Sequence, residues 1–203
     1  LFTIKVWQRI NELIIKSPGY EKFKDIFKYD IKQTINAINH DLIINKNYFL
    51  INKTDYWLYS PHTMQFIINI TANLMYLESF DMNELKTIRE IVWQSQKIAR
   101  IGNCVSTWER EAYEDDFTSG IFAYALDSKI LSVYDLTNKN LPAIIKKIKE
   151  SDIEKELLNE WGKCHKKISS FSEDEGNKTI DIKKLLCGME NILVLELISK
   201  RYK

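Results

Sequence analysis

Apolar residues recur along this chain in steps of three and four, the period of a helix with one buried face. Ile4, Trp7, Ile10 and Ile14 predict a helix over residues 4–16, stopped by Ser17-Pro18-Gly19. Phe23, Phe27, Ile31, Ile35, Ile38 and Leu42 form a second stripe, predicting a helix from about Tyr20 to Asn45 with a core-facing aromatic edge. From Lys46 to Ser60 the pattern breaks up and predicts no regular element. Pro61 suits a first helical turn, and Met64 to Leu77 reads as a mostly apolar helix. Glu78 to Met82 is a connection, with Asp81 or Asn83 as the cap of a long helix running to about Glu114. Asp115 to Gly120 reads as a turn with Thr118 or Ser119 at an N-cap, before a helix over Ile121 to Val133. Pro142 opens a helix to about Ser169, Phe171 to Lys178 is a loop, and Leu185, Leu186, Met189, Ile192, Leu193 and Leu197 predict a last helix over Thr179 to Tyr202. No run alternates in the manner of a strand, and no segment repeats. The expectation is an all-α bundle forming one helical domain over 1–203.

Composition supports this class. Three Pro and six Gly in 203 residues leave room for long helices, and 45% apolar with 12% aromatic residues is globular. The formal charge of +1, from 29 basic and 28 acidic residues of interspersed sign, argues against a broad nucleic-acid footprint. Lys146, Lys147 and Lys149, then Lys163, Lys166 and Lys167, are separated by acidic residues and read as solvated faces. Cys104, Cys164 and Cys187 are too few and too widely spaced for a disulfide framework or a CxxC zinc site. No signal peptide opens the chain and no apolar run reaches membrane-spanning length. These features predict no membrane span and a place in a reducing cytoplasm.

The chemistry concentrates in the long helix. Asn103, Thr107 and Glu111 are spaced four and four, so an amide oxygen, a hydroxyl and a carboxylate share one face over successive turns. All three are hard oxygen groups of the kind Mg2+ accepts beside waters and phosphate oxygens. Trp93, Gln96 and Arg100 continue the same stripe. Burying such a row is costly unless its polar groups find partners. A bound metal and an anion would supply them, and an exposed stripe would remove the cost equally well.

Asn103-xxx-Thr107-xxx-Glu111 resembles the second metal-binding motif of class I terpene synthases, (N/D)xxx(S/T)xxxE. Arg110 stands where many bacterial members carry a basic residue before the Glu. Glu114-Asp115-Asp116-Phe117-Thr118-Ser119 matches the register of the family's continuation, most clearly at Ser119, and Lys200-Arg201-Tyr202 resembles its C-terminal Arg-Tyr pair. The resemblance implies an antiparallel bundle around an aromatic-lined cavity, ionising farnesyl or geranylgeranyl diphosphate with Mg2+. It implies Asn103, Thr107 and Glu111 as metal ligands. Arg110, Arg201 and Tyr202 would act as the diphosphate-binding catalytic groups, and Trp93, Gln96 and Arg100 as groups facing substrate. A core role for Trp93 and an ion-pair role for Arg100 stay open, and a homodimer is compatible.

The sequence also departs from the family. No DDxxD precedes Asn103, and Tyr29-Asp30 and His40-Asp41 are poor substitutes. Counted back by the family's usual separation, the Asp-rich helix would fall before Leu1, so the chain is expected to be the C-terminal two-thirds of such a domain. The diphosphate-sensing Arg expected near Trp57 is missing, with Lys53 and His62 the nearest alternatives. Two other readings stand beside this one: a non-catalytic helical interaction protein, in which a basic C-terminus merely suits the helix dipole, and a chain-elongating or head-to-head prenyl-diphosphate synthase. The Asn/Thr/Glu triplet argues against the last.

Overall fold

The computed structural model describes residues 2–173 and 177–200, and every regular element among them is helical. Helices α1 (Phe2–Ile15) and α2 (Tyr20–Ile44) agree with the spacing to within two residues. The turn between them is tight because Gly19 donates to Met75 O at 2.8 Å, an approach at which a Cβ would stand 3.0 Å from that oxygen. The broken stretch after α2 holds a helix that periodicity misses, α3 (Lys53–Tyr59). Asn52 starts it, its Oδ1 accepting from Asp55 N at 2.9 Å while its Nδ2 donates to Asp55 Oδ2 at 2.8 Å. A 3-10 turn, Ser60–Met64, and a left-handed Gln65 (φ 61) lead into α4 (Phe66–Tyr76).

Helix α5 (Leu85–Tyr113) is the axis of the fold, about 43 Å long from its 29 residues. Ile88, Ile91, Ile101, Cys104, Val105, Trp108 and Ala112 are all wholly buried on one side, and Val92, Gln96, Ala99, Arg100 and Thr107 are buried on the other. This is the all-round burial of a central helix. Its neighbours can be oriented from their contacts. Gln96 meets Ile67, and Arg89 meets Thr71, so α4 runs antiparallel to α5. The following elements are α6 (Gly120–Asp127), α7 (Val133–Asn138), α8 (Leu141–Lys149), α9 (Ile153–Ser169) and α10 (Ile182–Ser199). Trp108 meets Glu154, and Glu90 meets Lys167, so α9 is antiparallel to α5 as well. Helix α10 runs parallel to α5. Glu84, below the foot of α5, accepts from Lys178 N and Thr179 N ahead of α10, while Gly102 lets Glu196 of α10 close in near its upper half.

Two expected helices are each divided. The one expected over Ile121 to Val133 ends at Asp127, because Lys129 adopts a left-handed φ of 58 and Ser132 with Asp135 forms a capping box that starts α7 afresh. The one expected from Pro142 breaks at Glu150–Asp152 between α8 and α9, where Ser151 Oγ donates to Ile148 O at 2.6 Å. The loop expected over Phe171 to Lys178 begins with a 3-10 turn, Ser170–Glu173, and residues 174–176 lie outside the described residues. The last helix starts at Ile182 rather than Thr179, where Asp181 Oδ1 accepts from Lys184 N at 3.1 Å, and the end expected at Tyr202 lies outside the described residues.

The stripe of α2 is only half core. Phe23 and Phe27 are buried, but Ile35, Ile38 and Leu42 are 51%, 46% and 57% exposed. On α1, Ile4 and Trp7 are more than half exposed, against the core role that their spacing predicts. An apolar groove of about 670 Å3 runs between α1, α2 and α4, walled by Trp7, Ile31, Ile35 and Ile68.

Candidate functional site

The upper half of α5 faces the last turns of α2 and the turn after α3, and a polar seam is buried there. Arg100 is 8% exposed and spans the seam, donating from Nε to Ser60 Oγ at 2.8 Å and from Nη1 to Asn103 Oδ1 at 2.8 Å. Burial opposes its charge. Cys104, Tyr56, Glu111 and Asp41 outweigh that and hold its pKa above the ordinary arginine range. One turn above Asn103, Thr107 Oγ1 lies 2.7 Å from Asn103 O and 2.7 Å from Glu111 Oε1. Burial pushes the Glu111 pKa up, against the pull of the Thr107 bond and of Arg100. Asn103, Thr107 and Glu111 thus share one face, as their spacing requires.

The rest of the seam comes from elsewhere in the chain. Asp41 is felt by Arg100 and Asp116, and burial raises its pKa to about 6. Asp116 Oδ1 accepts from Asn45 Nδ2 at 3.2 Å and from Thr118 N at 2.9 Å, and Phe117 N donates to Asn45 Oδ1 at 3.2 Å. These bonds fasten the turn after α5 to the end of α2. His40 stacks on Tyr59 with centroids 4.4 Å apart, and Tyr56 lies with its hydroxyl 3.1 Å from Cys104 Sγ. A small cleft lined by His40, Asp41, Asn52, Tyr56, Ser60 and Thr118 reaches into the seam.

The seam is under-satisfied. Asp41 Oδ1 and Glu111 Oε2 are buried and, among the described residues, make no hydrogen bond. Such groups destabilise a fold and persist where they serve something else. Asp41 shows the cost through pH. Its folded pKa of about 6 lies above its ordinary value of 3.8. Between these values the folded protein holds a proton that the unfolded chain has released, so stability falls as pH rises through that window and stays lower above it. Asp41→Asn is therefore expected to be more stable than the parent at pH 7.5, by about 1–2 kcal/mol. Below pH 4 the difference should vanish. Chemical denaturation at the two pH values checks this.

The other expected site residues are dispersed. Arg110 is exposed, its Nη1 3.3 Å from Glu114 Oε1, yet its charge reaches Glu111. It lines a second cleft with Ser106, Tyr113 and Lys200. Lys200 is anchored there on Glu154, whose Oε1 also accepts from Trp108 Nε1 at 2.6 Å. Arg201 and Tyr202 lie outside the described residues. Trp93 is half-buried against His62, with centroids 5.0 Å apart, in the cluster of α2, α4 and α5. Gln96 is wholly buried and its Oε1 accepts from Ile67 N at 3.2 Å, which ties down the first turn of α4. Trp93 stands ten residues below Asn103, about 15 Å along the helix. Of the two stand-ins for the missing sensor, Lys53 pairs with Asp127 at 3.3 Å, and the His62 carbonyl accepts from Thr34. The guanidinium that does reach the turn after α3 is Arg100, from the opposite helix. Asp30, the other acidic residue weighed ahead of Asn103, is bound by Arg89 in an ion pair.

Asp41, Asn45, Ser60 and Asp116 are the members that spacing alone does not single out. Among the described residues, no three His, Cys, Asp or Glu side chains stand close enough to hold a metal ion, so a cation here has to draw on the Asn and Thr oxygens as well. The donor set fits a hard cation, and the unpartnered Glu111 Oε2 is the feature one would occupy. No family model, curated protein or solved structure matches this chain. No helix among the described residues is long and apolar enough to cross a membrane.

Proposed function

We propose that this chain works as a class I terpene synthase, ionising a prenyl diphosphate such as farnesyl or geranylgeranyl diphosphate. The observation that carries this reading is the shared face of Asn103, Thr107 and Glu111 in a seam containing a buried guanidinium and unpartnered carboxylate oxygens. Asn103 Oδ1, Thr107 Oγ1 and a Glu111 oxygen would hold Mg2+. When bound, Mg2+ supplies positive charge that stabilises diphosphate as a leaving group. The chain's own part is to preorganise charge where the anion forms: Arg100 from inside the seam and Arg110 from its rim. Ile31 and Ile35 of α2 line the apolar groove and offer a hydrophobic surface to a hydrocarbon chain.

A second reading, a helical interaction protein without catalysis, is favoured by the exposed apolar residues of α1 and α10, among them Trp7, Val194, Leu195 and Ile198. One assay separates the two. The purified chain, alone and together with a helical segment carrying the DDxxD that does not precede Asn103, is incubated with each prenyl diphosphate, with Mg2+ or with excess chelator, and released diphosphate and hydrocarbon are measured. The proposal expects release only when the DDxxD segment and Mg2+ are both present. No release from folded protein under any condition would favour the interaction protein.

A further inference from the structure

The face of α5 that would receive a metal already carries a cation of the protein's own. The Arg100 guanidinium sits on Asn103 Oδ1 at 2.8 Å and is held at its other end by Ser60 Oγ at 2.8 Å. Both partners are neutral. Asp41 and Glu111 act on it through their charge, and each keeps a buried oxygen without a hydrogen bond among the described residues, that of Asp41 lying 3.9 Å from His40 Nδ1. The guanidinium suits this task, because its rigid planar donors hold Ser60 and Asn103 in one fixed geometry, which a point-charge ammonium does not reproduce.

We propose that Arg100 is an exchange latch: its guanidinium occupies Asn103 until a divalent ion displaces it, and it then swings to the anion that arrives with the metal. The proposal rests on the metal reading of the triplet. The physical ground is competition. A guanidinium and a dication on one amide oxygen repel each other in a buried seam, so each weakens the hold of the other. An incoming diphosphate removes the conflict by taking the guanidinium as its own partner. By linkage, whatever draws Arg100 off Asn103 must raise affinity for the metal.

The test is a Mn2+ titration followed by the electron paramagnetic resonance of the free ion, on the whole chain, with folding checked by circular dichroism. Arg100→Ala should bind Mn2+ at least about tenfold more tightly than the parent. Millimolar guanidinium should reverse that gain in Arg100→Ala and leave the parent unchanged, a response that a merely structural arginine would not give. Adding Asn103→Ala to Arg100→Ala should abolish the gain. Should Arg100→Ala fail to fold, Arg100→Lys carries the test. Its compact ammonium does not reproduce the planar hold on Ser60 and Asn103, so Mn2+ affinity should rise several-fold, and an unchanged affinity overturns the latch. Parent binding that is lost in Asn103→Ala but no tighter in Arg100→Ala overturns the latch and leaves the metal reading standing. Absence of Mn2+ binding from the parent and every folded variant overturns both.

Discussion

With a DDxxD-bearing segment supplied, Glu111→Ala is expected to lower Mg2+-dependent diphosphate release by about a hundredfold or more, the usual scale for losing one preorganised electrostatic group. Glu111 is the only member of the triplet that brings a negative charge, and its Oε2 is buried without a hydrogen bond among the described residues. Asn103→Ala should cost a comparable factor, because it removes an oxygen ligand and also frees Arg100 from its partner. Thr107→Val should cost less: the hydroxyl is neutral and lies 2.7 Å from both Asn103 O and Glu111 Oε1, so its loss loosens Glu111 without removing charge. Stability should respond in the opposite sense. Glu111 carries a raised pKa, so relieving its burial should leave the fold as stable as before or more so at neutral pH. A rate collapse without loss of stability is the pattern of a functional residue. Diphosphate release and urea denaturation on the same preparations measure both.

Arg89→Ala should be the most destabilising single change in the lower half of the bundle, costing about 3 kcal/mol. Arg89 grips Asp30 with two bonds, Nη1 to Oδ2 at 2.9 Å and Nη2 to Oδ1 at 2.7 Å, and Thr71 Oγ1 adds a third at 2.7 Å. The Asp30 side chain is 1% exposed, so removing the guanidinium leaves a buried carboxylate with only a hydroxyl beside it. Three helices meet at this point, α2, α4 and α5, and the defect therefore cannot be relieved by fraying one of them. Removing both charges, as Asp30→Leu with Arg89→Met, should recover most of the loss, because the burial cost disappears with the pair. Urea denaturation of the parent, the single variant and the double variant checks this. A single variant within about 0.5 kcal/mol of the parent would mean that water reaches Asp30 and replaces the guanidinium.

The helices that periodicity reads best, α2, α4 and α5, are those whose buried faces repeat in steps of three and four. Their ends were legible to within a few residues. Helix α3 was not, because seven residues offer too few turns for a stripe. Only the Asn52–Asp55 cap marks its start, and that signal is local. The division of the helices after Gly120 and Pro142 follows the same rule, since apolar residues continue across both breaks while Ser132-Asp135 and Ser151 redirect the backbone. At the site, the common face of Asn103, Thr107 and Glu111 follows directly from their spacing. Asp41, Asn45 and Ser60 join it from elements distant in sequence, and no single-helix pattern encodes that meeting. Gln96 shows the converse case. The resemblance implies a group facing substrate, and in the structure its Oε1 accepts from Ile67 N in the first turn of α4, a contact set by what packs opposite.

The central claim is that the three oxygens of α5 hold a divalent cation. Crystals soaked with Mn2+ and inorganic diphosphate, measured for the anomalous scattering of manganese, test it most directly. The account predicts a peak bonded to Asn103 Oδ1, Thr107 Oγ1 and a Glu111 oxygen at about 2.0–2.2 Å, the range for a small hard cation on oxygen. It also predicts Arg100 turned from Asn103 towards diphosphate oxygens. A peak elsewhere in the molecule, or clear diphosphate density touching none of Arg100, Arg110 and the triplet, would contradict it.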